Sequence, residues 1–147
     1  MKIRNAIKED VPQIIELCKA HAAYEQSNYK IEGKSENLIK YLFKESNGLQ
    51  CLVVEQDEVL VGYTTFIKQF STWDADYYLY LDCLFLKEET RGIGIGKQLM
   101  LKVKEYAVSE NCIAVQWQTP EFNKRAIKFY KNLGAKSLSK ERFTWGL

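Results

Sequence analysis

The run Arg91-Gly92-Ile93-Gly94-Ile95-Gly96-Lys97 sets three glycines at alternate positions between the most strand-like segment of the chain and a clear helical pattern. Three positions without a β-carbon let a ligand come close to the backbone. The N–H groups that open the following helix point at a common spot, and the helix dipole favours negative charge there. Arg91 and Lys97 flank the run and add countercharge. A pyrophosphate is the natural occupant of such a turn. Without a ligand to serve, each glycine lying inside the helix costs about 1 kcal/mol of helix stability.

Spacing decides which kind of turn this is. The dinucleotide fingerprint G-x-G-x-x-G needs glycine at 97 when read from Gly92, and at 99 when read from Gly94; Lys97 and Leu99 stand there. A P-loop ending in Gly96-Lys97 needs glycine at 91 and a hydroxyl at 98, where the chain has Arg91 and Gln98. What remains is R-G-x-G-x-G preceded by a strand.

The flanking periodicities give the order of elements. Ile3–Ala6 reads as a first strand. Asp10 suits a cap for a helix starting at Val11-Pro12, with Val11, Ile14, Ile15, Cys18 and Ala22 on its buried face. A second helix starts after Ser35 and turns Leu38, Ile39, Leu42 and Phe43 inward. Strands are expected at Cys51–Glu55 and Val59–Phe70, joined by Gln56-Asp57-Glu58, and at Tyr77–Leu86. From Lys97 a helix carries Leu99, Met100, Val103, Tyr106 and Ala107 on one face. Ile113–Gln118 reads as a strand. Asn123 caps a helix through Asn132 with Ala126, Ile127, Tyr130 and Leu133 inward, and Gly134 suits its end. Ser137–Trp145 reads as a last strand. Hairpins mixed with crossovers predict a mixed α/β domain whose sheet is not purely parallel.

Composition excludes several classes. The chain has 147 residues, 46% apolar and 27% charged, which fits one domain over 1–147 with one substantial core. No apolar window approaches a membrane span, and Met1–Ala6 lacks the apolar run of a secretory signal, so the expected setting is cytoplasmic, without membrane contact. Cys18, Cys51, Cys83 and Cys112 are too scattered for a zinc site or disulfide framework, and no metal is expected. His21 is the only histidine, and it reads as a partly buried packing residue on the apolar side of its helix. A net charge of +2, from 21 basic against 19 acidic residues, is too weak a bias for a nucleic-acid binder. The basic clusters at Lys97–Lys104 and Lys124–Lys131 suit a smaller polyanion.

With these residues in view the chain resembles the GNAT superfamily of N-acetyltransferases over nearly its whole length. The matching features are the opening Ile3-Arg4-x-Ala6-x-x-x-Asp10, the strand Leu79–Leu86, the turn Arg91–Gly96, and Asn123 with Phe129-Tyr130-x-x-x-Gly134-Ala135. Within the superfamily it is similar to the diamine (spermidine/spermine) acetyltransferase branch, through Tyr24-Glu25, Trp73 and Tyr80-Leu81-Asp82. The resemblance implies a GNAT-like fold: a mostly antiparallel sheet splayed after strand 4 and flanked by about four helices. It implies acetyl-CoA as cofactor, held by Arg91, Gly92, Ile93, Gly94, Ile95, Gly96 and Lys97, by Asn123, Lys124, Arg125, Ala126 and Tyr130, and along Leu84, Phe85 and Leu86. The arm of the cofactor adds to the strand edge at Leu84–Leu86. Tyr24, Glu25, Asp82 and Trp73 are the implied acceptor-binding residues, and a homodimer is the implied assembly. The branch usually has two adjacent acidic residues where this chain has Asp82-Cys83, so an amine acceptor is implied more firmly than a polyamine.

Amine acetylation needs a neutral amine, a stabilised oxyanion and a proton for the departing thiolate. An alkyl amine resembles lysine, of pKa about 10.4, so few molecules are nucleophilic at neutral pH. Asp82 is the candidate base, with substrate anchoring as its equal alternative. Tyr130 lies seven residues after Asn123, about two helical turns, on the face of the cap. A phenol of pKa about 10 is protonated at pH 7, and the resemblance makes Tyr130 the general acid. Backbone amides around Leu84 are the expected oxyanion donors. Cys83 has no histidine near it in sequence and reads as core or cleft lining. The leading expectation is acetyl transfer from acetyl-CoA to a small primary amine: a polyamine, a diamine or an amino-acid-like amine. The alternatives are a protein or peptide amine as acceptor, and a non-catalytic acyl-CoA-binding sensor.

Overall fold

The computed structural model describes residues 1–147. In chain order the elements are β1 (Lys2–Asn5), α1 (Val11–Tyr24), α2 (Lys34–Ile39, continued by a π turn over Lys40–Lys44), β2 (Gln50–Gln56), β3 (Val59–Ser71), β4 (Asp76–Leu86), α3 (Ile95–Ser109), β5 (Val115–Gln116) and α4 (Lys124–Asn132). The five strands form one sheet in the order β1-β2-β3-β4-β5. The first three pairings are antiparallel. The last is parallel, because α3 carries the chain back along the sheet before β5 begins.

Alternation along the strands divides the apolar residues between two faces. Ile14 and Leu17 of α1 pack with Cys51, Val53, Tyr63 and Phe85 on one face, and Leu38 and Leu42 lie against them. On the other face Met100, Val103 and Ala107 of α3 meet Phe66, Leu79 and Leu81, joined by Phe129, Tyr130 and Leu133 of α4. Ile95 and Leu99 complete that side against Val54, Val61 and Leu86. The expected inward face of α3 is therefore present in full. On α1, Leu17 is buried beyond the expected inward face, and Cys18 packs half-buried against the same cluster.

One irregularity matters for everything that follows. Thr65 pairs with Cys83 and Phe66 with Leu81, so Asp82 has no partner on β3 and forms a β-bulge. A bulge inserts one residue and shifts the phase of the strand. Before it Leu79 and Leu81 face α3; after it Leu84 and Leu86 do, while Cys83 and Phe85 face α1.

Three expectations are corrected. Asp10 does not cap α1 with its side chain. Its carboxylate accepts from the Ile7 N–H at 2.8 Å and from both terminal nitrogens of Arg4 at 2.7 and 2.9 Å. The Arg4-to-Asp10 spacing thus encodes a clamp between β1 and the start of α1, extended by the Arg4 Nε bond to Glu55 on β2. The strand expected over Ile113–Gln118 shrinks to Val115–Gln116, because beyond Gln116 the chain leaves β4 and Trp117 packs against Tyr130. The strand expected over Ser137–Trp145 is not formed; residues 136–147 are exposed and lie outside every strand pairing. A strand exists only through a partner edge, and the pattern of a segment cannot supply one.

Candidate active site

Because β5 pairs with β4 only at Leu79 and Tyr80, the edge of β4 from Leu81 to Leu86 has no neighbouring strand. A cleft of about 940 Å³ opens along it. It is lined by Arg91, Gly92, Gly94, Gly96 and Lys97 of the glycine turn, by His21, Tyr24 and Glu25, by Asp82 and Cys83, and by Asn123, Arg125, Ala126 and Tyr130. Leu84, Phe85 and Leu86 lie along the same cleft. Residues from four segments far apart in sequence are thus brought to one cavity.

The glycines of the turn are required for two different reasons. Gly92 and Gly94 have φ of +86° and +90°, in the left-handed region that favours glycine, and an added β-carbon at either meets nothing within 4 Å. The space before the turn is therefore open. Gly94 is the N-cap of α3, without a side-chain cap, so the first-turn N–H groups of Ile95, Gly96 and Lys97 lack intrahelical partners. Gly96, in contrast, is needed for packing: a β-carbon there comes within 3.3 Å of both Leu86 and Phe129. The turn fits a diphosphate by its open front, its free amides and the helix dipole.

Arg91 does more than the sequence reading gave it. Its Nε donates to the Leu86 carbonyl at 2.8 Å, and its guanidinium lies 4.5 Å from the Tyr24 ring centroid and 5.5 Å from that of Phe85. It ties the turn to α1 and β4 while lining the cleft. Tyr24 in turn donates to Asn123 Oδ1 at 3.1 Å, and the same oxygen caps α4 by accepting from the Ala126 N–H at 3.2 Å. Two residues assigned from sequence to opposite ligands therefore join the walls of the cleft directly.

The bulge leaves Asp82 exposed on the cleft wall. The Cys83 thiol donates to Asp82 Oδ2 at 3.6 Å. Burial, then the adjacent Asp82 charge, pushes that thiol up to about 12, so Cys83 is a neutral lining group and a poor nucleophile. Burial likewise pushes the Tyr130 phenol up to about 12, with Glu25 adding to it, so Tyr130 keeps its proton across the physiological range. Its ring is fixed edge-on to Trp117, with centroids 5.1 Å apart.

Four expected site residues do not line the cleft. Trp73 sits at the tip of the β3–β4 hairpin, 96% exposed. Ile93 points to solvent, Ile95 is buried in the core, and Lys124 is exposed outside the lining. The reading missed His21, which stacks on Phe85 with centroids 5.3 Å apart and lines the cleft. Its i, i+4 spacing to Glu25 was the available signal. Lys140 and Arg142 also line the cleft, and no sequence pattern near them pointed there.

Residues 14–135 match the model of the acetyltransferase (GNAT) family. The chain belongs to that family. Among its relatives, the thialysine N-epsilon-acetyltransferase of Bos taurus is 33% identical, over 93% of this chain and 85% of that one. The human spermidine/spermine N(1)-acetyltransferase-like protein 1 is 25% identical, over 95% of this chain and 21% of that longer protein. The solved structure of an aminoglycoside acetyltransferase from an uncultured soil metagenomic sample superposes with a TM-score of 0.83 at 22% identity, covering 99% of this chain and 95% of that one. That likeness carries the fold. The expected GNAT architecture is present as a five-stranded mixed sheet with four helices, and the protein is an acetyltransferase. No helix is long and apolar enough to cross a membrane.

Proposed function

We propose that this GNAT protein transfers an acetyl group from acetyl-CoA directly to the primary amine of a small molecule: a diamine, a polyamine or an amino-acid-like amine. The observation that carries this reading is the single cleft that joins the glycine turn to Asp82, Glu25 and Tyr130. Acetyl-CoA, when bound, supplies an activated acetyl thioester. The N–H groups of residues 92–97 hold its diphosphate, Arg91, Lys97 and Arg125 lend positive charge, and the unpaired edge of β4 at Leu84–Leu86 receives its arm. Asp82 would take a proton from the acceptor ammonium, the Leu84 N–H would be the donor available to an acyl oxygen, and Tyr130 Oη would hold the proton needed by a departing thiolate. Tyr24 and Glu25 hold the acceptor's charge.

The relatives' names support an amine acceptor bearing further polar groups. The whole chain acts as one catalytic domain in this reading. A cytoplasmic setting is supported by four free cysteines. A homodimer is supported by exposed Leu138, Phe143, Trp145 and Leu147, an apolar set of the kind that marks protein contacts.

Release of free thiol from acetyl-CoA across a panel of polyamines, lysine analogues and peptide amines tests the reading, with calorimetric titration of coenzyme A beside it. Turnover with small amines is expected. Binding without turnover on any amine indicates a sensor, and no affinity for coenzyme A overturns the proposal.

A further inference from the structure

His21 lies in the last turn of α1 and Glu25, four residues on, caps the helix; both line the cleft. The imidazole is held by three elements. Its ring stacks on Phe85 of β4, with an interplanar angle of 25°. Nδ1 lies 3.1 Å from the Tyr63 hydroxyl of β3, and Nε2 lies 3.1 Å from Glu25 Oε1. With 14% of its side chain exposed, the ring has little room to turn. Packing alone needs neither polar contact, yet both nitrogens are used.

The two contacts survive a change of charge. Burial raises the Tyr63 phenol far above its ordinary value, so Tyr63 always carries its hydrogen. When His21 is neutral, Tyr63 donates to Nδ1 and Nε2–H donates to Glu25. When His21 is protonated, Nδ1–H donates to the Tyr63 hydroxyl oxygen and the phenolic hydrogen turns away from the ring. Nothing else has to move. The wall carries the Glu25 charge in the first state and none in the second.

We propose that His21 is a positioning residue that fixes the Glu25 carboxylate on the cleft wall and, through its own proton, sets how strongly that carboxylate attracts a cationic acceptor. This rests on the reading of the cleft as an amine site. The charged and titratable groups around the imidazole are Glu25 just after α1, Tyr63 on β3 with the Cys18 and Cys83 thiols near it, Asp82 beside Cys83, and Arg91, which also lies over the Phe85 ring. Burial keeps both thiols neutral, so Glu25 is the group whose charge the imidazole answers. A cation bound at Glu25 opposes protonation of His21, and by reciprocity the protonated ring opposes the cation.

The sole histidine makes the test clean. The ring nitrogens of the full chain, saturated with coenzyme A, are followed by NMR through a pH titration with and without 1,4-diaminobutane. The expected result is a midpoint moved to lower pH by about half a pH unit or more, which corresponds to roughly threefold or greater weakening of diamine binding by the imidazole proton. In Glu25→Gln the diamine no longer moves the midpoint. In His21→Leu the KM for the diamine loses its rise at low pH. In His21→Gln, which keeps a donor toward Glu25, the KM at high pH is restored toward the native value. An unmoved midpoint, or an unchanged pH slope of KM in His21→Leu, overturns the proposal. Absence of acetyl transfer in the native chain overturns the acetyltransferase reading of the cleft instead, and the midpoint still decides the coupling of His21 to Glu25.

Discussion

At the turn end of the cleft the working groups are main-chain N–H bonds of consecutive residues, fixed by two glycines at positive φ and the start of one helix. Elsewhere the cleft is lined by side chains: Glu25 just after α1, Asp82 from a bulge in β4, and Tyr130 from α4. The first kind of site tolerates changes of side chain but not of backbone. The second depends on each side chain and on the packing that aims it. The contrast teaches where specificity can vary: the glycine-turn half is set by local geometry, while the half built from side chains can be rebuilt one residue at a time.

Substitutions at the two ends should therefore fail differently. Tyr130→Phe removes the phenolic hydrogen and little else; turnover is expected to fall roughly 100- to 1,000-fold with coenzyme A affinity unchanged in calorimetry. Near-native turnover would remove Tyr130 from the chemistry. Asp82→Asn is expected to lower kcat/KM for the amine roughly 10- to 100-fold, with the KM for acetyl-CoA unchanged. A change confined to the amine KM assigns Asp82 to anchoring. Gly94→Val forces a β-branched residue into a left-handed backbone, a strain of about 2 kcal/mol. Its expected effect is roughly tenfold weaker coenzyme A binding, with amine preference intact. If amine preference changes instead, the division between the two ends is wrong.

The smallest effect on activity is expected outside both ends. Arg4, donating first to Asp10, holds that carboxyl below the usual carboxylate range. A lowered folded value gives stability that is present above the unfolded carboxyl pKa of about 3.9 and is lost as pH falls through the folded value. Arg4→Met should lower unfolding free energy by about 2 kcal/mol at neutral pH and flatten its loss in acid. Chemical denaturation at several pH values measures both, and turnover at 25 °C should stay near native.

Local sequence determined the parts whose physics is local. The helical periodicity of α3, the Asn123 cap, the hairpin β3–β4 and the open glycine turn could all be read directly, because each depends on neighbours within a few residues. Even the spacing from Arg4 to Asp10 was visible, although its meaning as a clamp was not. Tertiary structure alone decided the rest. The bulge at Asp82 exists only because β3 sets the register, and it reverses which residues of β4 face α1. His21 reads as packing until Tyr63 and Phe85, more than forty residues away, close around its ring. The segment Ser137–Trp145 has the alternation of a strand but pairs with no edge of the sheet, and Trp73 projects from a hairpin tip outside the cleft it was assigned to. Hydrogen-bond partners and register come from other segments of the chain, and no window of sequence contains them.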